Sequence, residues 1–387
     1  MIRIREFVKW YNNEFKLTRL WADMEAMSEG SPWHRERSIA AHTDMVVMTL
    51  LGLQDLGESN SMPALMTLFA AAFHDVGKPA MRQLKHSEER GEYSSFSEHE
   101  LRSARLWQDY YMNHRVDMQE RFGIEMSQFY TITVMIEKHR PWGMKDTDKI
   151  RGIFSSIGPA TVGDYLKLLE ADNSGRISDS PDALAVSIAQ IERFAKTAGD
   201  ATVNSYHALQ RKLNLQQKLG LDKRAVPQLV MPISQAGSGK STLFKQLHSG
   251  NSEFNPTGAE FYQHSMDIIR AERYGPDTEV AFKASTEDSE FMRAVQANFI
   301  AAVKEERSIY VDNTNLSAKR RRFYITEARR HGYDTMAILI PLSLKDALDR
   351  NFNRKNKKIS SDAVWNQYMA LSMPMLNYEF DQIGFVD

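Results

Sequence analysis

Four histidines and two aspartates punctuate the N-terminal half in the order His42 (AAHTDMV), His74-Asp75 (AAAFHDVGK), His99 (SEHE), His139 (EKHRP) and Asp172 (LLEADNSG). Neutral imidazole nitrogen and carboxylate oxygen are the donors that divalent transition metals favour. The adjacent pair has a particular use: His74 can bind one ion while the Asp75 carboxylate bridges to a second. His42 and Asp172 belong with this pair, and His99 and His139 would complete the second ion. Two ions a few ångströms apart can clamp a phosphoryl group and generate hydroxide at neutral pH. Lys78, one turn after Asp75, can bind substrate phosphate or act on it. Histidine and carboxylate together suit Mn²⁺, Fe²⁺, Co²⁺, Ni²⁺, Cu²⁺ or Zn²⁺. Just upstream, SPWHRERS adds His34, Arg35 and Arg37 as candidate phosphate or substrate contacts.

A second chemistry is written in the other half. Ser234-Gln235-Ala236-Gly237-Ser238-Gly239-Lys240-Ser241 is a phosphate-binding loop with one departure, Ser234 standing where the first glycine is usual. Gly237, Ser238 and Gly239 let the backbone wrap a β-phosphate, and the following helix adds its dipole. Lys240 can bridge β- and γ-phosphates, Ser241 can ligate Mg²⁺, and Thr242 follows in the first helical turn. The expected cofactors here are ATP and Mg²⁺.

Downstream, SMDIIRAE sets Asp267 and Arg270 at i, i+3, on one helix face. An aspartate near the γ-phosphate can accept a proton from an attacking hydroxyl. In VDNTNLS, Asp312, Asn313 and Asn315 fall at the carboxyl edge of a strand, where sheets of this class bind ligands. In DRNFNRKNKK, Arg350 and Arg354 are spaced to clamp a triphosphate or stabilise transferring charge, with Lys355, Lys357 and Lys358 behind them.

The elements that must position these groups follow from periodicity. Residues 1–215 read mainly as helices, with apolar residues recurring every three or four positions in SIAAHTDMVVMTLLGLQDL, PALMTLFAAAFHD and TITVMIEKH. Pro63 suits a first helical turn, and Gly77 a stop after His74-Asp75. The polar stretch MRQLKHSEERGEYSSFSEHE reads as an exposed loop. After a linker at 216–225, the pattern changes. PQLVMPIS, SIYVDNT and TMAILIPL are strand-length apolar runs, and a helical stretch precedes each of the last two. Strands alternating with helices imply a parallel sheet. The expected fold class is multidomain: an all-α domain at 1–215, then an α/β P-loop domain at 226–387.

A chain of 387 residues is long for one domain, and its 42 % hydrophobic residues suffice for two cores. Lys+Arg and Asp+Glu balance at 49 and 50, so nucleic-acid binding would need local patches. With no cysteine, disulfides and thiol chemistry are excluded, which fits a reducing cytoplasm. The opening MIRIREFVKW lacks the apolar region of a signal peptide, and no apolar run approaches the roughly 20 residues of a membrane span. A cytoplasmic protein without membrane contact is expected.

The P-loop, Asp267-x-x-Arg270, Asp312-Asn313-Thr314-Asn315 and Arg350…Arg354 set resembles the 5′-kinase domain of polynucleotide kinases of the phage end-healing type, over roughly residues 226–387. The resemblance implies ATP-dependent phosphorylation of a 5′-hydroxyl on RNA or DNA. It implies Asp267 as general base, Arg270 as a ligand of the acceptor's 3′-phosphate, and Arg350 and Arg354 as lid arginines. Over roughly residues 30–180 the H…HD…D pattern resembles the HD superfamily of metal-dependent phosphohydrolases, HDVGK being typical, and the two extra histidines resemble its dinuclear subset.

The combination resembles the bifunctional HD-domain polynucleotide kinases. It implies RNA end healing: phosphorylation of 5′-hydroxyls, and removal of 2′,3′-cyclic phosphate or a 2′- or 3′-phosphate, ahead of a partner RNA ligase. Two other readings of the residues stand beside it. One is a nucleoside or metabolite kinase joined to an HD nucleotidase. The other is a module in which ATP binding gates the HD hydrolase.

Overall fold

The computed structural model describes residues 2–29, 34, 36–53, 61–87, 91–141, 144, 146–177, 189, 192–194, 196, 212–221, 226–248, 252–255, 258–354 and 358–386. Arg35, Lys355, Lys357 and linker residues 222–225, for which expectations were drawn above, lie outside that set. The chain divides into two compact units, Met1–Thr202 and Val203–Asp387. The break precedes the expected linker. Residues 212–218 are helical and pack on the second unit: Gln216 Nε2 donates to Gly332 O and Asp334 Oδ1, each at 3.0 Å, and Lys212 pairs with Asp334 at 2.8 Å.

The first unit is helical: α1 (Ile2–Asn13), α2 (Arg19–Glu25), α3 (Ile39–Leu53), α4 (Met62–Phe73), α5 (Lys78–Met81), α6 (His99–Asn113), α7 (Arg115–Phe122), α8 (Met126–Glu137), α9 (Thr147–Ile157) and α10 (Val162–Ser174). α4 is its axis. Ser61 caps it by accepting from Ala64 N, Pro63 sits in the first turn, and every residue from Ala64 to Phe73 is buried. A helix apolar all round must lie inside a bundle. It does, wrapped by α1, α3, α6, α8 and α10. An aromatic cluster locks it there: Phe7 meets Phe69 with ring centroids 5.0 Å apart, and Phe73 meets Trp107 at 5.0 Å. A helix buried without a break from Ala64 to Phe73 therefore ends at His74-Asp75.

The stretch expected as a loop is an antiparallel hairpin, β1 (Gln83–Ser87) with β2 (Gly91–Ser95). Its strands carry few apolar residues, so alternation gave no signal; the pairing, not burial, makes it a ribbon.

The second unit holds a fully parallel sheet in the order β4 (Phe261–His264), β5 (Ser308–Val311), β3 (Gln228–Ile233), β6 (Asp334–Leu339), β7 (Gln382–Phe385). Its helices are α11 (Lys240–His248), α12 (Met266–Tyr274), α13 (Thr278–Glu287), α14 (Phe291–Lys304), α15 (Ala318–Arg330), α16 (Leu344–Phe352) and α17 (Ser361–Met369). The three expected strands are β3, β5 and β6. The flanking β4 and β7 are four residues each, too short and too polar to stand out. Val230, Tyr310 and Ile338 from the three inner strands share one core with Leu243 and Leu247 of α11. The phosphate-binding loop thus leaves the central strand at its carboxyl end, where this fold class binds ligands.

That edge is braced by a buried ion pair. Arg321 of α15 is fully buried; its guanidinium makes a two-pronged contact with Glu379 at 2.9 and 3.0 Å and donates to the carbonyls of Asn315, Leu316 and Ser372. Removing one partner leaves the other charge buried and unpaired, which costs about 3–5 kcal/mol. Glu379→Ala should therefore lower the melting temperature of the second unit by several degrees, read by calorimetry. An unchanged transition would show that the pair is not holding the edge. Among the described residues, no helix is long and apolar enough to cross a membrane.

Two candidate active centres

The first centre gathers every ligand the spacing singled out. His42 comes from α3, His74-Asp75 from the end of α4, His99 from the start of α6, His139 from just past α8, and Asp172 from α10. All six are buried. Asp75 is the hub. Its Oδ2 lies 3.1 Å from His74 Nε2 and 3.7 Å from His42 Nε2; its Oδ1 lies 3.2 Å from His99 Nε2 and 3.7 Å from His139 Nε2. Asp172 Oδ1 closes the first side, 3.1 Å from His42 Nε2 and 3.9 Å from His74 Nε2. Among the described residues, two groups that could each hold a cation share the Asp75 carboxylate, His42–His74–Asp75 and Asp75–His99–His139, and His34–Glu36–His42 forms a third.

The imidazoles are aimed from behind. Nδ1 of His74, His99 and His139 lies 2.7, 2.7 and 2.8 Å from the carbonyls of Ala71, Phe96 and Ile136, each three residues back along the chain. His42 Nδ1 faces Gly175 O at 3.2 Å. A carbonyl only accepts, so in His74, His99 and His139 Nδ1 carries the hydrogen and the Nε2 lone pair points inward, as in liganding histidines, whereas His42 Nε2 donates to the Asp172 carboxylate at 3.1 Å. Among these atoms His74 Nε2, His99 Nε2 and Asp75 Oδ1 have no hydrogen-bond partner despite burial. Orphaned buried groups are costly, and cations among them would satisfy all three. The residues present therefore fit a divalent metal pair.

Without a metal, the electrostatics divide the ligands. Burial alone would lower the His42 imidazole, but hydrogen bonds to Asp172 and Glu36 carry it up to about 10. Burial and the neighbouring His74 and His99 hold His139 far below its usual range, in the neutral form a metal needs. Against burial, His74 and Lys78 keep the Asp75 carboxyl ionised, and Arg176 and His42 do the same for Asp172. Lys78 is buried between two carboxylates, 2.8 Å from Asp75 Oδ2 and bonded to Glu29.

Sequence reasoning missed Glu29 and Glu36. Both are buried, and His34 lies between them at 3.4 Å from each. The segment SPWHRERS was read for its cations, whereas its working groups are His34 and an acid. Gly77 is also more than a helix stop. A Cβ there would come within 2.5 Å of His99 O and 2.6 Å of Ser103 N, so glycine lets α6 approach and bring His99 to Asp75.

The second centre surrounds the loop at 234–241. Gly237 and Gly239 take positive φ, 82° and 99°, and Ser234 Oγ lies 2.6 Å from Ser238 Oγ across the loop's base. The serine in place of the first glycine is thus a tie. Lys240 Nζ donates to Gln235 O at 2.7 Å. Ser241 and Thr242 are exposed in the first turn of α11. Gln367 of α17 accepts from Ala236 N at 2.9 Å, a support the sequence did not reveal.

Burial draws the Lys240 ammonium down to about 8; Asp312 and Asp267 are near enough to oppose this, and Arg354 to reinforce it. The four charged groups named by separate motifs therefore converge. The arginines close over the loop: a Cβ on Gly237 would sit 3.7 Å from Arg350 Cβ and 3.8 Å from Arg354 Cδ. Asp267 is half-exposed and held by Arg270 Nη1 at 2.8 Å. Asp312 Oδ2 accepts from Gln263 at 2.8 Å, and Asn313 Oδ1 accepts from Met266 N at the head of α12. Asn315 differs from the others. It is 3 % exposed, and its amide donates to the carbonyls of Pro232, Val311 and Asn313, so its side chain is committed to the strand ends.

Two comparisons with known proteins give matches. A family model described as an AAA domain matches residues 229–374. A protein of Autographa californica nuclear polyhedrosis virus, named as a bifunctional polynucleotide kinase/RNA ligase, is 28 % identical over 188 residues, which is 46 % of this chain and 25 % of that relative. The chain thus spans about a quarter of that relative's length. Fold, loop and similarity together make the C-terminal region a P-loop, kinase-like domain.

Proposed function

We propose that this chain is an RNA end-healing enzyme. Its second unit phosphorylates 5′-hydroxyl ends with ATP, and its first unit removes 2′,3′-cyclic phosphate or a 2′- or 3′-phosphate. The observation that carries the kinase half is the phosphate-binding loop at the carboxyl end of the central strand of a parallel sheet, with Arg350 and Arg354 against Gly237. The relative named as a polynucleotide kinase supports a nucleic-acid acceptor.

In the transfer, the acceptor's 5′-oxygen forms a bond to the γ-phosphorus, and the bond from that phosphorus to the β-phosphate oxygen breaks with its electron pair leaving on ADP. The hydroxyl proton passes to the Asp267 carboxylate. Lys240, Arg350 and Arg354 neutralise charge spreading over the γ-phosphoryl oxygens. Gly237, Ser238 and Gly239 offer backbone amides to the β-phosphate, and Thr242 lies beside it. Ser241 is the residue that would hold Mg²⁺, which supplies further charge neutralisation when bound. Arg270 takes the acceptor's phosphate on its exposed side, and Asn313 positions the head of α12.

The hydrolase half is supported by His74 Nε2, His99 Nε2 and Asp75 Oδ1, buried together without a hydrogen-bond partner. His42, His74, Asp75 and Asp172 would hold one divalent ion, and Asp75, His99 and His139 a second, drawn from Mn²⁺, Co²⁺, Ni²⁺, Cu²⁺ or Zn²⁺. Such a pair supplies Lewis acidity to the phosphoryl group and to water. Lys78, buried between Asp75 and Glu29, is the cation that would meet the phosphate. An RNA ligase would use the healed ends.

One oligonucleotide tests both halves: an RNA with a 5′-hydroxyl and a 2′,3′-cyclic phosphate, incubated with ATP, Mg²⁺ and a panel of transition metals, its ends resolved by mass. Gain of a 5′-phosphate and loss of the cyclic phosphate are expected. No change at either end, with phosphorylation of free nucleosides instead, would overturn the reading in favour of a small-molecule kinase.

A further inference from the structure

α13 turns an aromatic side chain outward close to the acceptor centre. Phe282 is 59 % exposed, against the usual burial of phenylalanine. The ring is nevertheless anchored. The Arg270 guanidinium lies 5.3 Å from its centroid and 5.2 Å from that of the buried Phe291. That guanidinium is itself fixed, Nε donating to Ser285 Oγ at 3.0 Å and Nη1 to Asp267 Oδ1 at 2.8 Å. Ser285 and Thr286 each donate back to Phe282 O at 2.8 Å, holding the backbone that carries the ring. A continuous set of contacts therefore joins Asp267, the group assigned to take the acceptor's proton, to an exposed aromatic surface.

We infer that Phe282 is the stacking platform for the nucleobase of the acceptor's 5′-terminal nucleotide. The inference rests on the kinase reading above and extends it to how the acceptor is held. A strand whose 5′-hydroxyl meets Asp267 and whose phosphate meets Arg270 has its first base within reach of the ring that Arg270 touches. Every base has a π-face, so stacking there is indifferent to sequence and suits an enzyme that acts on arbitrary broken ends. It also separates a polynucleotide end from small hydroxylated metabolites, which have no base to stack. An apolar contact with another protein is the competing use of this surface, since Val280 on the same helix is 60 % exposed. The link to Asp267 favours the base.

The test is steady-state 5′-phosphorylation of single-stranded RNA oligonucleotides bearing each of the four bases at the 5′ end, and of one whose 5′-terminal residue is abasic. Phe282→Ala should raise KM about tenfold or more for all four bases, with a smaller effect on kcat. Phe282→Trp should restore the wild-type KM. On the abasic oligonucleotide, wild type and Phe282→Ala should share one high KM. Unchanged KM in Phe282→Ala would overturn the platform, as would an equal KM increase on the abasic substrate, which would mark a structural effect. A dimer dissolved by Phe282→Ala with KM unchanged would assign the surface to a second copy instead. If wild type phosphorylates no oligonucleotide at all, the kinase reading itself fails, a result distinct from failure of the platform.

Discussion

Asp75→Ala is expected to abolish removal of the terminal phosphate while leaving 5′-phosphorylation at the wild-type rate. Asp75 is the carboxylate common to both candidate metal groups, facing His42 and His74 with one oxygen and His99 and His139 with the other. Losing it dismantles both together. Metal-assisted charge stabilisation is worth several kcal/mol, so the loss should be on the order of 10³-fold or greater. Deleting the carboxylate also strips Lys78 of one partner inside the unit, so part of the effect could come through stability. Asp75→Asn keeps the volume and separates the two: a folded variant with depleted metal content and no phosphatase activity is the expected outcome. Loss of both activities in a folded Asp75→Asn protein would mean that one site serves both reactions.

Lys240→Ala should do the converse, reducing 5′-phosphorylation by roughly 10³-fold while phosphate removal continues. The ammonium is the cation at the centre of the loop, with Asp267, Asp312 and Arg354 arranged about it. Alanine cannot bridge β- and γ-phosphates, and the arginines beside Gly237 do not replace an ammonium at the head of α11. The check is transfer of labelled γ-phosphate to a 5′-hydroxyl oligonucleotide. Kinase activity retained within a few-fold would sink the assignment of this loop as the donor site.

How legible these centres were depends on what kind of signal each part left. The four histidines and two aspartates stood out because each falls in an apolar, helix-forming stretch where a polar residue needs a reason. The loop stood out because its glycines, lysine and serine follow a strand and precede a helix. What stayed hidden was whatever depends on contact between distant segments. Glu29 and Glu36 look like ordinary surface acids until folding buries them against Lys78 and His34. Gly77 looks like a helix terminator, and only the approach of His99 shows why no Cβ fits. Asn315 shared a polar tetrad with Asp312 and Asn313, yet its amide serves three carbonyls. The β1–β2 ribbon, β4 and β7 are held by pairing rather than by apolar alternation, so periodicity was silent there.

The carbonyls behind the histidines carry a consequence for how such a centre can be inherited. The groups that set each imidazole's hydrogen belong to the main chain at Ala71, Phe96, Ile136 and Gly175. Every amino acid supplies that oxygen. Drift at the first three of these positions can change the side chain without disarming the histidine, provided the helix end keeps its path. A lineage can therefore rewrite almost everything around the ligands and keep their chemistry, leaving only a few widely separated letters as its trace.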